Sequence, residues 1–107
     1  MTNFEGVAPA LSQALDKRGY TELTPVQRAV LTPELRDVDA LVSAQTGSGK
    51  TVAFGMSIAP TLLGSDEKFG RGGRAMALVV APTRELALQV KRELEWLFEL
   101  TGAKIAS

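Results

Sequence analysis

The sequence predicts an α/β fold, an incomplete parallel sheet flanked by helices, and three observations carry that reading. Two short apolar runs, Asp39-Ala40-Leu41-Val42-Ser43-Ala44 and residues 75–81 (AMALVVA), are bounded by polar residues and suit strands buried on both faces. Each is followed by a stretch of helical periodicity. A third run, Ala103-Lys104-Ile105-Ala106-Ser107, begins where the second of those stretches stops. Strand, helix, strand, helix, strand is the grammar of a parallel sheet. Such a sheet normally has about five or six strands, so two strands and a start read as a portion of a larger domain.

The elements follow in order. Val7, Leu11, Ala14 and Leu15 fall at helical spacing, and Gly19 follows Lys17-Arg18 where a helix end favours cations and glycine. Thr24-Pro25 reads as an N-cap with proline at the first helical position. That helix carries Val26, Ala29 and Val30 inward and stops near Thr32-Pro33. After the run at 39–44 comes a glycine-rich loop, then a helix to about Leu63, with Phe54 and Met56 as core residues. Residues 64–74 (GSDEKFGRGGR) hold four glycines and five charges and read as a solvated surface connection. From Arg84, the residues Leu86, Ala87, Val90, Leu94, Leu97 and Phe98 make one apolar stripe at helical period, and Gly102 ends it. Trp96 lies off that stripe and reads as a partly buried packing residue.

Composition narrows the function classes. The chain has 107 residues, is 45% apolar and 22% charged, and contains no cysteine, so it carries neither disulfides nor thiolate metal sites. Twelve basic residues balance twelve acidic ones. Five positive and six negative charges fall in residues 1–53, and seven and six in residues 54–107. Bulk charge therefore announces no nucleic acid, and any such contact comes from a few placed groups. The start Met1-Thr2-Asn3-Phe4-Glu5 lacks the pattern of a signal peptide, and no apolar run is long enough to span a bilayer. The expectation is a soluble cytoplasmic protein without membrane association.

The chemistry is concentrated in Ala44-Gln45-Thr46-Gly47-Ser48-Gly49-Lys50-Thr51. Phosphate binding needs a ring of backbone N–H groups, a helix N-terminus and a cation. Glycines at 47 and 49 let the backbone turn its amides inward. Lys50 is placed to reach the β- and γ-phosphates, and the Thr51 hydroxyl to ligate Mg²⁺. The helix that starts near Lys50 adds the positive end of its dipole. The general pattern for such loops opens with glycine where this chain has Ala44.

A second cluster, Gly19-Tyr20-Thr21-Glu22-Leu23-Thr24-Pro25-Val26-Gln27, precedes the loop. A glutamine amide offers a donor and an acceptor, which matches the amino group and ring nitrogen of adenine. Tyr20 is available to stack on a base, although a tyrosine taken alone is more often a core residue. A third cluster, Pro82-Thr83-Arg84-Glu85-Leu86-Ala87, opens the last helix. Arg84 there is well placed for a phosphate, while Thr83 and Glu85 also read as an ordinary helix cap.

These three clusters resemble the DEAD-box RNA helicases of superfamily 2. Residues 19–27 look like their Q motif, 44–51 like motif I (AxTGxGKT) and 82–87 like motif Ia (PTRELA). Alanine is usual at the head of motif I in that family. The bacterial members look closest. The resemblance implies a P-loop, RecA-like domain of which residues 1–107 are the N-terminal portion. It implies ATP as ligand, with Gln27 recognising adenine, Tyr20 stacking on it and Phe4 as the upstream aromatic. Residues Ala44, Gln45, Thr46, Gly47, Ser48, Gly49, Lys50 and Thr51 would hold the phosphates, and Thr51 the Mg²⁺. Pro82, Thr83 and Arg84 would contact RNA backbone.

Hydrolysis needs carboxylates to hold Mg²⁺ through water and to position the attacking water. In the family those lie in an Asp-Glu-Ala-Asp motif, which these residues do not contain. The expectation is a nucleotide-binding chain without catalytic residues of its own, belonging to an ATP-dependent helicase. The competing readings are a P-loop enzyme of another class and a non-catalytic nucleotide-binding module. The apolar runs lack neighbours, so a further expectation is that the isolated chain associates with itself.

Overall fold

Local signals in the chain set where each helix begins and ends. A computed structural model of the protein describes residues 4, 6–35, 38–42, 49–64, 69–70 and 75–107. Helix α1 (Pro9–Lys17) opens on proline and buries Leu11, Ala14 and Leu15 on one side. It ends because Gly19 takes φ +95°, turning the chain so that the Tyr20 N–H donates to the Leu15 carbonyl at 3.0 Å. The Ser12 hydroxyl, buried inside α1, accepts from the Phe4 N–H at 3.1 Å and pins the chain ahead of the helix.

Helix α2 (Pro25–Ala29) is five residues long and depends on its cap. Thr24 Oγ1 accepts from the Gln27 N–H at 3.4 Å, and Gln27 Oε1 accepts from the Thr24 N–H at 3.0 Å. This reciprocal box turns Gln27 inward. The buried positions are consequently Gln27 and Val30, and Ala29, expected inside, is exposed.

Helix α3 (Lys50–Leu63) starts after Gly49 and buries Val52, Ala53, Met56, Ala59 and Leu63, a stripe of helical period. Phe54 is half-buried beside it. Helix α4 (Arg84–Leu97) is capped by Thr83, whose Oγ1 accepts from the Leu86 N–H at 3.2 Å. It runs into a 3₁₀ turn (Glu99–Thr101) that Gly102 closes at φ +76°. The two long helices cross at Gly55. A Cβ there would sit 2.7 Å from Leu97 Cδ2 and 3.1 Å from Leu94 Cδ2. Leu11, Leu15, Met56 and Leu97 are fully buried and form the centre of the core, so α1, α3 and α4 share it.

The expected strands are not formed. Among the described residues, those of the runs 39–44, 75–81 and 103–107 take part in no strand; residues 43 and 44 lie outside the description. A strand exists only through its ladder of hydrogen bonds, and neither long run finds a partner among the described residues. Their apolar side chains are therefore exposed, Leu41, Leu78 and Val80 most of all. The same vacancy opens the stripe of α4. Leu94, Leu97 and Phe98 are buried as expected, Ala87 and Val90 are half-buried, and Leu86 is exposed.

In the glycine-rich connection at 64–74, the described residue Phe69 is anchored rather than solvated. Its ring stacks on Phe98 at 6.4 Å and its N–H donates to the Thr101 carbonyl at 2.8 Å. Among the described residues, no helix is long and apolar enough to cross a membrane.

Candidate nucleotide site

The site is built around Gln27, a fully buried polar side chain held between two segments 22 residues apart. Its Nε2 donates to the Gly49 carbonyl at 3.3 Å, and its Oε1 accepts from the Thr24 N–H. Gly49 is the residue on which α3 begins, and its φ of +87° lies where side chains are disfavoured. A Cβ at Gly49 would collide with Gln27 Nε2. Glycine is needed there both for backbone geometry and for the space that Gln27 fills. The Arg28 guanidinium donates to the Leu23 carbonyl at 2.7 Å and closes the segment between α1 and α2.

Lys50 is the first residue of α3 and is exposed; Thr51 follows it and is half-buried. Both therefore stand at the helix N-terminus, where unpaired N–H groups and the dipole favour an anion. The positions Ala44, Gln45, Thr46, Gly47 and Ser48 lie outside the described residues. Gly49, Lys50 and Thr51 are the described part of the loop, and Gln27 is the residue brought against it.

Tyr20 is half-buried. Burial pushes its phenol above the ordinary tyrosine value, and the negative charge of Glu93 pushes the same way. Arg18 and a side-chain hydrogen bond with Gln27 offset part of that rise. The Tyr20 ring lies 5.8 Å from that of Trp96, tilted by 37°. Trp96 is half-buried, in keeping with the packing role expected for it, but its partner was not foreseen. The available signal was the spacing of Gln89, Arg92, Glu93 and Trp96, which marks one face of α4. Phe4 is buried in the core.

At the other cluster, Pro82, Thr83 and Arg84 are all exposed at the start of α4. Thr83 is occupied as the N-cap, and Glu85 lies in the first turn, so the capping role read from the sequence is present. Arg84, at the first position of the helix, is turned to no ion pair among the described residues.

Comparison with known proteins identifies the family. Residues 24–107 match the family described as DEAD/DEAH box helicase. The chain is 46% identical over 90 residues to DEAD-box ATP-dependent RNA helicase 53 of Oryza sativa subsp. japonica, covering 84% of this chain and 15% of that protein. It is 41% identical over 100 residues to ATP-dependent RNA helicase RhlB of Pseudomonas aeruginosa, covering 92% of this chain and 25% of that protein. Bacterial members are thus not singled out, since the plant protein has the higher identity. The structure is similar to the crystal structure of the RNA helicase Prp28 from Chaetomium thermophilum bound to ADP, with TM-score 0.78 and 35% identity over 99% of this chain and 26% of that one. The chain therefore belongs to the DEAD/DEAH box helicase family.

Proposed function

We propose that this chain binds ATP and the RNA backbone as the opening part of the first RecA-like domain of an ATP-dependent RNA helicase. The observation that carries the reading is the hydrogen bond from Gln27 to Gly49. It sets the side chain suited to adenine against the end of the loop suited to a triphosphate, so base and phosphates of one nucleotide have their binding groups side by side. The Gln27 oxygen keeps a second lone pair beyond the one given to Thr24, and an exocyclic amino group fits it.

Lys50 supplies the cation for the phosphates and the N-terminus of α3 the dipole. The Thr51 hydroxyl is a hard oxygen donor in the first turn of that helix, which suits Mg²⁺. Bound there, Mg²⁺ would neutralise part of the phosphate charge. Pro82, Thr83 and Arg84 present an exposed helix start to RNA phosphates, a contact to backbone rather than to bases.

The longer relatives carry the rest. Because the family's carboxylate motif is absent from these 107 residues, the chain by itself binds ATP without hydrolysing it. The runs at 39–44 and 75–81 become strands of a parallel sheet once neighbouring strands are supplied. A nucleotide panel tests the reading. ATP is expected to bind about tenfold tighter than GTP, and Gln27→Ala to erase that preference. Equal binding of GTP by the unsubstituted chain would count against it.

A further inference from the structure

Trp96 lies on α4, outside all three sequence clusters, and yet the groups around it lead directly to Gln27. Its indole Nε1 donates to Glu93 Oε2 at 2.9 Å, which fixes the ring against its own helix one turn back. The Arg18 guanidinium carbon lies 5.0 Å from the ring centroid, in the range of a cation–π contact. The Tyr20 ring meets the indole at 5.8 Å between centroids. The Gln27 side chain lies near enough to the Tyr20 phenol to offset part of the rise in its pKa, and Gln27 bonds to Gly49.

A row of contacts thus runs from the surface cation Arg18 through Trp96, Tyr20 and Gln27 to the head of α3. Each member restricts the next. Gly19 at φ +95° and the Tyr20 N–H bond to Leu15 fix the backbone of Tyr20. They leave its ring free to rotate about two side-chain bonds. The indole, held on one side by Glu93 and faced by Arg18, is an aromatic contact that limits that rotation.

We propose that Trp96 is a positioning residue for nucleotide base recognition: it sets the orientation of Tyr20, and through the phenol that of the Gln27 amide. The proposal rests on the reading of Tyr20 and Gln27 as the base site. The sequence gives it two convenient probes, because Trp96 is the only tryptophan and Tyr20 the only tyrosine of the chain.

The test compares the full 107-residue chain with Trp96→Ala and Trp96→Phe. The ligands are ADP, GDP and inorganic triphosphate, titrated by calorimetry. Trp96→Ala is expected to weaken ADP by about three- to tenfold, the size of an aromatic pair, with triphosphate affinity unchanged. Its preference for ADP over GDP falls in step. Trp96→Phe restores most of both, since a phenyl ring can still pack on Tyr20. A purely structural role would lower ADP and triphosphate together, and that result overturns the proposal, as does an unchanged ratio of ADP to GDP binding. Should Trp96→Ala fail to fold, the intrinsic fluorescence of the unsubstituted chain decides. Trp96 emission is expected to change on adding ADP and not on adding triphosphate, and no change with ADP overturns the idea. If the unsubstituted chain does not prefer ADP and Gln27→Ala alters nothing, the base-site reading itself has failed.

Discussion

The Gln27 amide donates to the Gly49 carbonyl, and the space it occupies is the space a side chain on residue 49 would need. One hydrogen bond therefore ties the cap of α2 to the start of α3. Gly49→Ala should act twice. A non-glycine residue at φ +87° costs about 1–2 kcal/mol, and the added methyl displaces the buried amide. The expected outcome is a lower urea midpoint together with weaker ATP binding. Loss of stability with ATP affinity intact would separate Gln27 from the nucleotide site.

Gly55→Ala poses the opposite question, because its backbone is ordinary helix. Alanine in a helix interior is normally favoured by about 0.5–1 kcal/mol. Here the new methyl would lie 2.7 Å from Leu97 Cδ2 and 3.1 Å from Leu94 Cδ2, and Leu97 is fully buried, so side chains of the packed crossing must shift to admit it. Overpacking of this kind costs about 1–3 kcal/mol. The helix crossing should win, giving a net loss that chemical denaturation at fixed protein concentration would register. A gain in stability would mean that α4 can slide on α3.

Tyr20 offers a titration. Burial, then Glu93, raise its phenol above the ordinary value of 10.0 in the folded chain. The folded state then holds its proton at a pH where the unfolded chain has lost it. The resulting stability is fully present below pH 10.0 and is lost as pH rises toward the folded value. Between neutrality and that point Tyr20 should contribute no pH dependence. Phenolate absorbance, which here reports one residue, should rise later in the folded chain than in urea, and Tyr20→Phe should flatten the alkaline loss.

The helix boundaries were legible because their causes are local. Thr24-Pro25, Gly49-Lys50 and Thr83-Arg84 each carry a cap and a first turn within a few residues, and all three helices begin there. The expected strands are not formed among the described residues for a physical reason. An apolar run states that its side chains avoid water, but a ladder requires a second segment, and periodicity contains no information about that segment. At the site, the amide chemistry of Gln27 was readable from its type, whereas its bond to Gly49 was not. The pairing of Tyr20 with Trp96 was hidden for the same cause, since the two are remote in sequence and join only when α4 packs beside the end of α1.

The exposed runs predict how the isolated chain behaves in solution. Leu41 is 100% exposed, Leu78 88%, Val80 84% and Met76 60%. Side chains of this size gain about 1.5–3 kcal/mol each on full burial, and backbone groups without a ladder invite pairing with another chain. Both forces point toward association, so light scattering should show apparent mass rising with concentration, and the thermal transition should be broad and concentration-dependent. Leu78→Lys combined with Val80→Lys should return the chain toward the monomer while leaving the α1, α3 and α4 core intact, since neither side chain belongs to it. A sharp two-state calorimetric melt at monomer mass would sink the idea, because it would show that the helical core alone outweighs the exposed apolar surface.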